Sequence, residues 1–339
     1  MDATALHRES LIIDSHNDSI VALIRHGNLG LNGDKRDDYL QRDGVVSYLR
    51  QFIQHLGEDT QLDLPKMRQG GLDAAFFAID CTRPWGNHLL YFMDALGYFL
   101  REVEECGGEI SIARSAGDIE RARAEGKIAA IIAVENSDAL EKSPYVLPLL
   151  YDLGVRAMTL THSTRSWAGD GCEVAGGSGL TGFGRDLIAQ MHELGIIVDV
   201  SHLNDAGFWD VVSLYEIPIM ATHSCCRALC DHPRNLDDNQ LKALAEKGGV
   251  VGITFVPRFI SAEAPSFSDL LDHIDHAVET AGVDCVGLGS DFDGGGLLLR
   301  DATALPDITT GLVRRGHTES DIRKILGGNQ LRLLRQIIG

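Results

Sequence analysis

Residues 196–223 read IIVDVSHLNDAGFWDVVSLYEIPIMATH, and this stretch decides the fold. An apolar, β-branched run, Ile196–Val200, leads into Ser201-His202. Asn204–Leu214 then carries helical spacing behind an Asn suited to capping. A second apolar run, Ile217–Thr222, ends at His223. Working outward, the same alternation covers the chain. Strands are predicted also at Leu11–Ile13, Ala74–Ile79, Ile128–Val134, Ala157–Thr161, Val250–Val256 and Cys285–Gly289. Most lack polar alternation, as parallel strands covered on both faces do. Helices are predicted at His88–Val103, Ser115–Glu125, Leu180–Leu194, Asp237–Lys247, Phe267–Ala281 and Thr318–Ile338. Strand followed by helix, eight times over, predicts an α/β fold: a closed, somewhat distorted (β/α)8 TIM-type barrel. An open doubly wound sheet is the alternative, because strand order is not written in the pattern. Residues 19–71 and 80–127 exceed a simple βα unit and predict long insertions after strands one and two. No linker or repeat divides the chain, so residues 1–339 read as a single domain.

Composition narrows the function. A net charge of −19 argues against nucleic-acid partners, whose phosphates need Lys and Arg. No stretch has the roughly 18 apolar residues of a membrane helix, and residues 1–14 lack the apolar core of a signal peptide. The seven cysteines are odd in number and scattered, which reads as reduced thiols in a cytoplasmic protein. Cys225, Cys226 and Cys230 read as small buried hydrophobes.

The chemistry lies at the strand ends. Strand one runs into Asp14-Ser15-His16-Asn17-Asp18, strand three into Glu135, and strands four, five and six into His162, His202 and His223. Strand eight runs into Asp291 and Asp293. In such a barrel these ends form one face, the active-site face. Histidine and carboxylate together suit a divalent metal, zinc foremost. His16 and Asp18, two apart on an extended segment, point to one side and can share an ion. His202 and His223, from adjacent strands, can share a second, and Glu135 can bridge the two. Each histidine alone is ordinarily structural; the joint pattern is what points to a metal. His7, His55, His192, His273, His276 and His317 read as surface residues. Asp80 and Arg258 face the same rim without an assigned role. The glycine runs 176–179 and 294–296 match no full nucleotide fingerprint and read as loop hinges.

Asp14-Ser15-His16-Asn17-Asp18, Val200-Ser201-His202, Thr222-His223-Ser224, Asp231-His232-Pro233-Arg234-Asn235 and Gly289-Ser290-Asp291-Phe292-Asp293-Gly294 are similar to motifs of the renal (membrane) dipeptidase family, zinc peptidases of the amidohydrolase superfamily. The similarity covers nearly the whole chain in order and is densest over residues 182–256. It implies a binuclear zinc metallopeptidase, with two Zn2+ per chain bridged by Glu135, that hydrolyses dipeptides by a metal-bridged hydroxide. It implies that His162 stabilises the oxyanion, that Arg234 binds the substrate's terminal carboxylate, and that Asp291 carries a proton from water to the leaving amine. The family accepts a D-residue at the second position, so L-Xaa-D-Xaa substrates are expected. Many members are homodimers, which makes a homodimer the expected assembly here; no nucleic acid or membrane partner is expected. One departure stands out. Relatives follow the bridging Glu with glycine, whereas Asn136-Ser137-Asp138 follow here. N-acyl amino acid deacylation or lactone hydrolysis on the same centre, and a metal-binding barrel without catalysis, remain alternatives.

Overall fold

The computed structural model describes residues 2–40, 48–82 and 86–339; parts of both predicted insertions, 41–47 and 83–85, lie outside them. The strands are β1 (Ile13–Asn17), β2 (Ala74–Asp80), β3 (Ile110–Ile112), β4 (Ile128–Glu135), β5 (Val155–Thr159), β6 (Ile197–Asp199), β7 (Met220–Ser224), β8 (Val250–Ile253) and β9 (Val286–Leu288). They pair in the order β2-β1-β9-β8-β7-β6-β5-β4, and β4 pairs back onto β2 to close the ring. Every one of these pairings is parallel. This is the predicted (β/α)8 barrel. The short β3, which the sequence reading missed, lies outside the ring against the start of β4.

Period-two alternation sorts the side chains of each strand. Ala74, Phe76 and Ala78 on β2, and Ala129, Ile131 and Ala133 on β4, pack into an inner cluster. Ala75, Phe77, Ile79, Ala130, Ile132 and Val134, one residue out of step, pack into the large outer cluster with the helices. The inner rows continue upward into Asp80 and Glu135, which are register partners. Below, Leu331 and Leu334 of the helix Asn329–Ile337 join the inner cluster. The register slips between Asp14 and Asn17 on β1 and between Ala221 and Ser224 on β7. These two irregularities span His16 and His223, and a bulge of this kind re-aims a side chain.

Three differences from the sequence reading have physical causes. Strand one runs to Asn17, so His16 is part of the strand; polar residues can sit there because the rim supplies their partners. The predicted helix Thr318–Ile338 is broken at residues 324–328, where Gly327 passes so close to β1 that an added Cβ would lie 2.6 Å from the Leu11 carbonyl oxygen. Helices at Ser19–His26, Val146–Leu153 and Leu305–Arg315 were not anticipated.

His7 and His273 are buried, contrary to their reading as surface residues. His7 Nε2 donates to the Gly70 carbonyl (2.9 Å) and its Nδ1 accepts from Thr309 Oγ1 (2.7 Å). His273 Nε2 donates to the Ile260 carbonyl (2.9 Å) while Nδ1 accepts from the Cys226 amide (3.0 Å). Each ring is thus fixed as a neutral tautomer, and burial holds both imidazoles below their ordinary value. The unfolded chain therefore takes up these protons first. The stabilisation is whole above about pH 6.5 and drains away as pH falls through and below that value. The gap in thermal midpoint between the protein and its His273→Ala variant is expected to narrow from about pH 7.5 to about pH 5. A gap that widens on acidification would contradict the neutral assignment.

Candidate metal centre

Six strand ends deliver the predicted site residues to one place. Glu135 closes β4 and is 3% exposed. Its Oε1 lies 3.1 Å from His202 Nε2, 3.7 Å from His223 Nε2, 3.8 Å from His16 Nε2 and 4.0 Å from His162 Nε2. His16 Nε2 is 3.7 Å from Asp18 Oδ2. The rings stack in pairs, His16 on His223 at 3.7 Å and His162 on His202 at 4.1 Å between centroids. Donor atoms within 4.8 Å of one another fall into three groups: His16, Glu135 and His223; Glu135, His162 and His202; His16, Asp18 and Asp291. Glu135 and His16 each belong to two of the three.

The donor set fits a divalent metal. His202 Nε2 and His223 Nε2 face each other at 2.9 Å. Burial, with Arg234 among the nearby positive groups, holds both imidazoles well below their ordinary value, so they stay neutral. His16 Nε2 and Asp18 Oδ1 are buried without a hydrogen-bond partner. Burial pulls the His16 imidazole down, yet Glu135 and Asp18 overcome it and raise it to about 10. Burial drives the Glu135 carboxyl well up, and the charge of Asp18 adds to the effect. Buried carboxylates around neutral imidazoles call for positive charge at their centre, and a metal ion supplies it without a proton. The cysteines behave as read: Cys225, Cys226 and Cys230 are buried and take part in none of these groups.

An outer layer orients these donors, and here sequence reasoning missed Asp199. Its carboxylate accepts from Thr159 Oγ1 (2.8 Å), Thr222 Oγ1 (2.6 Å) and the amides of Ser201 (2.9 Å) and Thr222 (3.0 Å). Thr222 gives its only hydroxyl proton to Asp199, so it must accept from His223 Nδ1–H at 2.8 Å. That relay fixes the tautomer and leaves Nε2 free to bind metal. The signal was present as the Asp199-Val200-Ser201-His202 run, though an Asp inside an apolar strand does not announce its partners. Asp14 acts across the β1–β9 seam, accepting from the Ser290 amide and hydroxyl, both at 2.7 Å.

Strain gathers at the same rim. Asn136, His202, Asp291 and Asp293 all have positive φ, between 59° and 74°. Non-glycine residues are held so only where their surroundings over-determine them, and such positions cluster at functional sites. Gly294 permits one such arrangement: an added Cβ would lie 1.8 Å from Asp18 Oδ2 and 2.3 Å from Asp291 Oδ1. The run 294–296 is thus a packed corner, not the hinge inferred from sequence.

Asn136, the departure beside Glu135, is buried, with φ 74° and ψ 111°. Its Oδ1 accepts from the Asp138 amide (3.1 Å) and its Nδ2 donates to Thr82 Oγ1 (3.2 Å). Alanine there would keep the backbone strain and lose these bonds. Asn136→Ala is expected to cost about 1–2 kcal/mol, and Asn136→Gly, which loses bonds but relieves strain, less than about 1 kcal/mol. Denaturant unfolding of both variants checks the order; alanine proving the milder change would rule it out.

The remaining predicted residues also converge. Arg234 is 3% exposed and pinned at the end of β7, its Nη2 donating to the His223 carbonyl (2.7 Å) and Nη1 to Ser224 Oγ (3.3 Å). Its Nε is buried without a partner. Asp291 is 9% exposed, and burial, reinforced by the charge of Asp18, pushes its carboxyl up to about 7 in the metal-free chain. His162 is the most open of the four site histidines, its side chain 32% exposed.

A closed (β/α)8 barrel with a histidine–carboxylate cluster at its strand ends is the arrangement of a metal-dependent hydrolase. The chain belongs to the membrane dipeptidase family, peptidase family M19, whose sequence profile matches residues 1–338. It is 33% identical over 237 residues to dipeptidase verJ of Clonostachys rogersoniana, an alignment spanning 68% of this chain and 61% of that curated relative. The crystal structure of dipeptidase AC, an M19 metallopeptidase, superposes with a TM-score of 0.85 at 28% identity, covering 97% of this chain and 99% of the other. A metallopeptidase from Rhodobacter sphaeroides, liganded with a phosphinate mimic of the dipeptide L-Ala-D-Ala, gives a TM-score of 0.83 at 27% identity, covering 97% and 100%.

Proposed function

We propose that this chain, acting over residues 1–339 as one hydrolase domain, is a zinc dipeptidase that cleaves short substrates including L-Xaa-D-Xaa dipeptides. The observation that carries the reading is Glu135 Oε1 lying within 3.1–4.0 Å of four imidazole nitrogens, beside a buried Arg234 whose Nε has no protein partner. His16 and Asp18 would hold one zinc ion and His202 and His223 the other, with Glu135 shared. Zinc bound there supplies Lewis acidity and brings the pKa of a coordinated water toward neutrality.

The chain's own groups do the rest. Arg234 offers its guanidinium to the substrate's terminal carboxylate, which sets the length of substrate that fits. A longer peptide would place that carboxylate elsewhere. His162, stacked on His202, presents Nε2 toward the scissile carbonyl oxygen and stabilises it as negative charge develops. Asp291 accepts a proton from the attacking water and delivers it to the departing amine nitrogen, without which an amide does not break. Tolerance of a D-residue at the second position draws support from the L-Ala-D-Ala mimic held by the Rhodobacter relative. The assembly proposed is a homodimer and the compartment the cytoplasm.

The test is elemental analysis of the purified protein together with hydrolysis of a panel of L-L and L-D dipeptides. Two zinc ions per chain and turnover of both classes are expected. Full metal content with no turnover across the panel would refute the dipeptidase reading.

A further inference from the structure

We infer that Asp80 is the specificity residue that binds the free α-ammonium of the substrate, so that the mouth of the barrel carries an anionic pole opposite its cationic one. This rests on the dipeptidase reading for its substrate class. Three observations carry it.

The first is direction. Asp80 continues the inward-facing row of Ala74, Phe76 and Ala78, and its register partner is Glu135, which continues the inward-facing row of Ala129, Ile131 and Ala133. Paired residues on neighbouring parallel strands point to the same side, about 4.8 Å apart in backbone. The carboxylate of Asp80 therefore opens onto the space that Glu135 faces. The second is availability. Asp80 is half-buried, and among the described residues the one hydrogen bond to its carboxylate is from the Thr82 amide to Oδ1 at 2.7 Å. Among the described residues no cation pairs with it. It stands outside all three metal-donor groups, whereas Asp18, Glu135 and Asp291 are committed to metal or proton.

The third is position around the ring. Counting along the pairing order, β2 and β7 are four strands apart in either direction around the eight-strand ring, which makes them diametrically opposed. Arg234 is pinned to the end of β7 and Asp80 ends β2. Between them lies the Glu135 cluster.

A dipeptide at neutral pH is a zwitterion with its scissile bond between the charges. Laid across this mouth with its carboxylate on Arg234, it brings its ammonium toward β2. An N-acylated amino acid has the same carboxylate but no such cation. Asp80 would therefore separate the two substrate classes, and it would do so by attraction to one of them rather than by shape.

The test uses metal-loaded protein and two matched pairs of ligands. One pair is a phosphinate dipeptide mimic and its des-amino counterpart, whose Kd values are read by calorimetry. The other is alanyl-alanine and propionyl-alanine, read as kcat/KM. In the wild type the amine-bearing member is expected to win in both pairs. Asp80→Asn keeps an acceptor for the Thr82 amide and is expected to cut that preference at least tenfold, with Asp80→Glu recovering part of it. Equal loss on both members of a pair, or an unchanged preference at native metal content, overturns the inference. So does a wild type that binds both phosphinates equally. If the wild type hydrolyses neither substrate yet discriminates the phosphinates through Asp80, the dipeptidase reading falls and this one stands.

Discussion

Asp291→Asn is expected to lower kcat by about 10²- to 10⁴-fold while leaving the metal content of the protein unchanged. The substitution preserves volume. The Asp291 amide donates to the His16 carbonyl at 3.0 Å and its own carbonyl accepts from the amides of Gly295 and Gly296, and neither contact involves the side chain. What is lost is the proton. Burial and the charge of Asp18 push the carboxyl up to about 7, and a carboxyl can both accept and give a proton. An asparagine amide cannot cycle in this way. Single-turnover kinetics on metal-loaded variant separates this from weakened binding. A variant with wild-type kcat would show that another group carries the proton.

Glu135→Gln is expected to be the more damaging change. Its carboxylate oxygen lies within 4.0 Å of all four imidazoles, and among the described residues no other acidic oxygen stands in two donor groups. A neutral amide removes the charge that balances the cations and can turn an N–H toward ring nitrogens whose lone pairs a metal needs. At least one zinc ion per chain should be lost on elemental analysis. Lewis-acid stabilisation is worth several kcal/mol, so activity should fall by about 10³-fold or more. Retention of both ions at full rate would remove Glu135 from its shared role.

The sequence carried the barrel because eight apolar runs punctuated by helices leave few other architectures, and the strand order that decides between a ring and an open sheet came only with the pairing of β4 onto β2. The candidate metal donors were legible because histidine and carboxylate at strand ends have little structural reason to recur. Asp199 was not, because its importance lies in four bonds from three residues, Thr159, Ser201 and Thr222, two of them on neighbouring strands. His7 and His273 were misread for the same reason: a buried histidine is recognised by what surrounds it, and those groups are distant in sequence. Asp80 was placed on the rim from sequence, but its role depends on which strand lies opposite. The family resemblance supplied roles for Arg234 and His162 that spacing alone could not.

The seam between β1 and β9 has a consequence for how the protein comes into being. That join has one ladder pair, Asp14 with Leu288, extended by the grip of the Asp14 carboxylate on Ser290 and by the amides of Asp291 and Asp18 on the carbonyls of His16 and Phe292. A ribosome delivers all five proposed metal donors before it delivers Asp291. A chain emerging in that order holds its proposed ligands while still lacking the group proposed to move the proton. Under that mechanism, hydrolytic competence waits for the last strand to dock on the first.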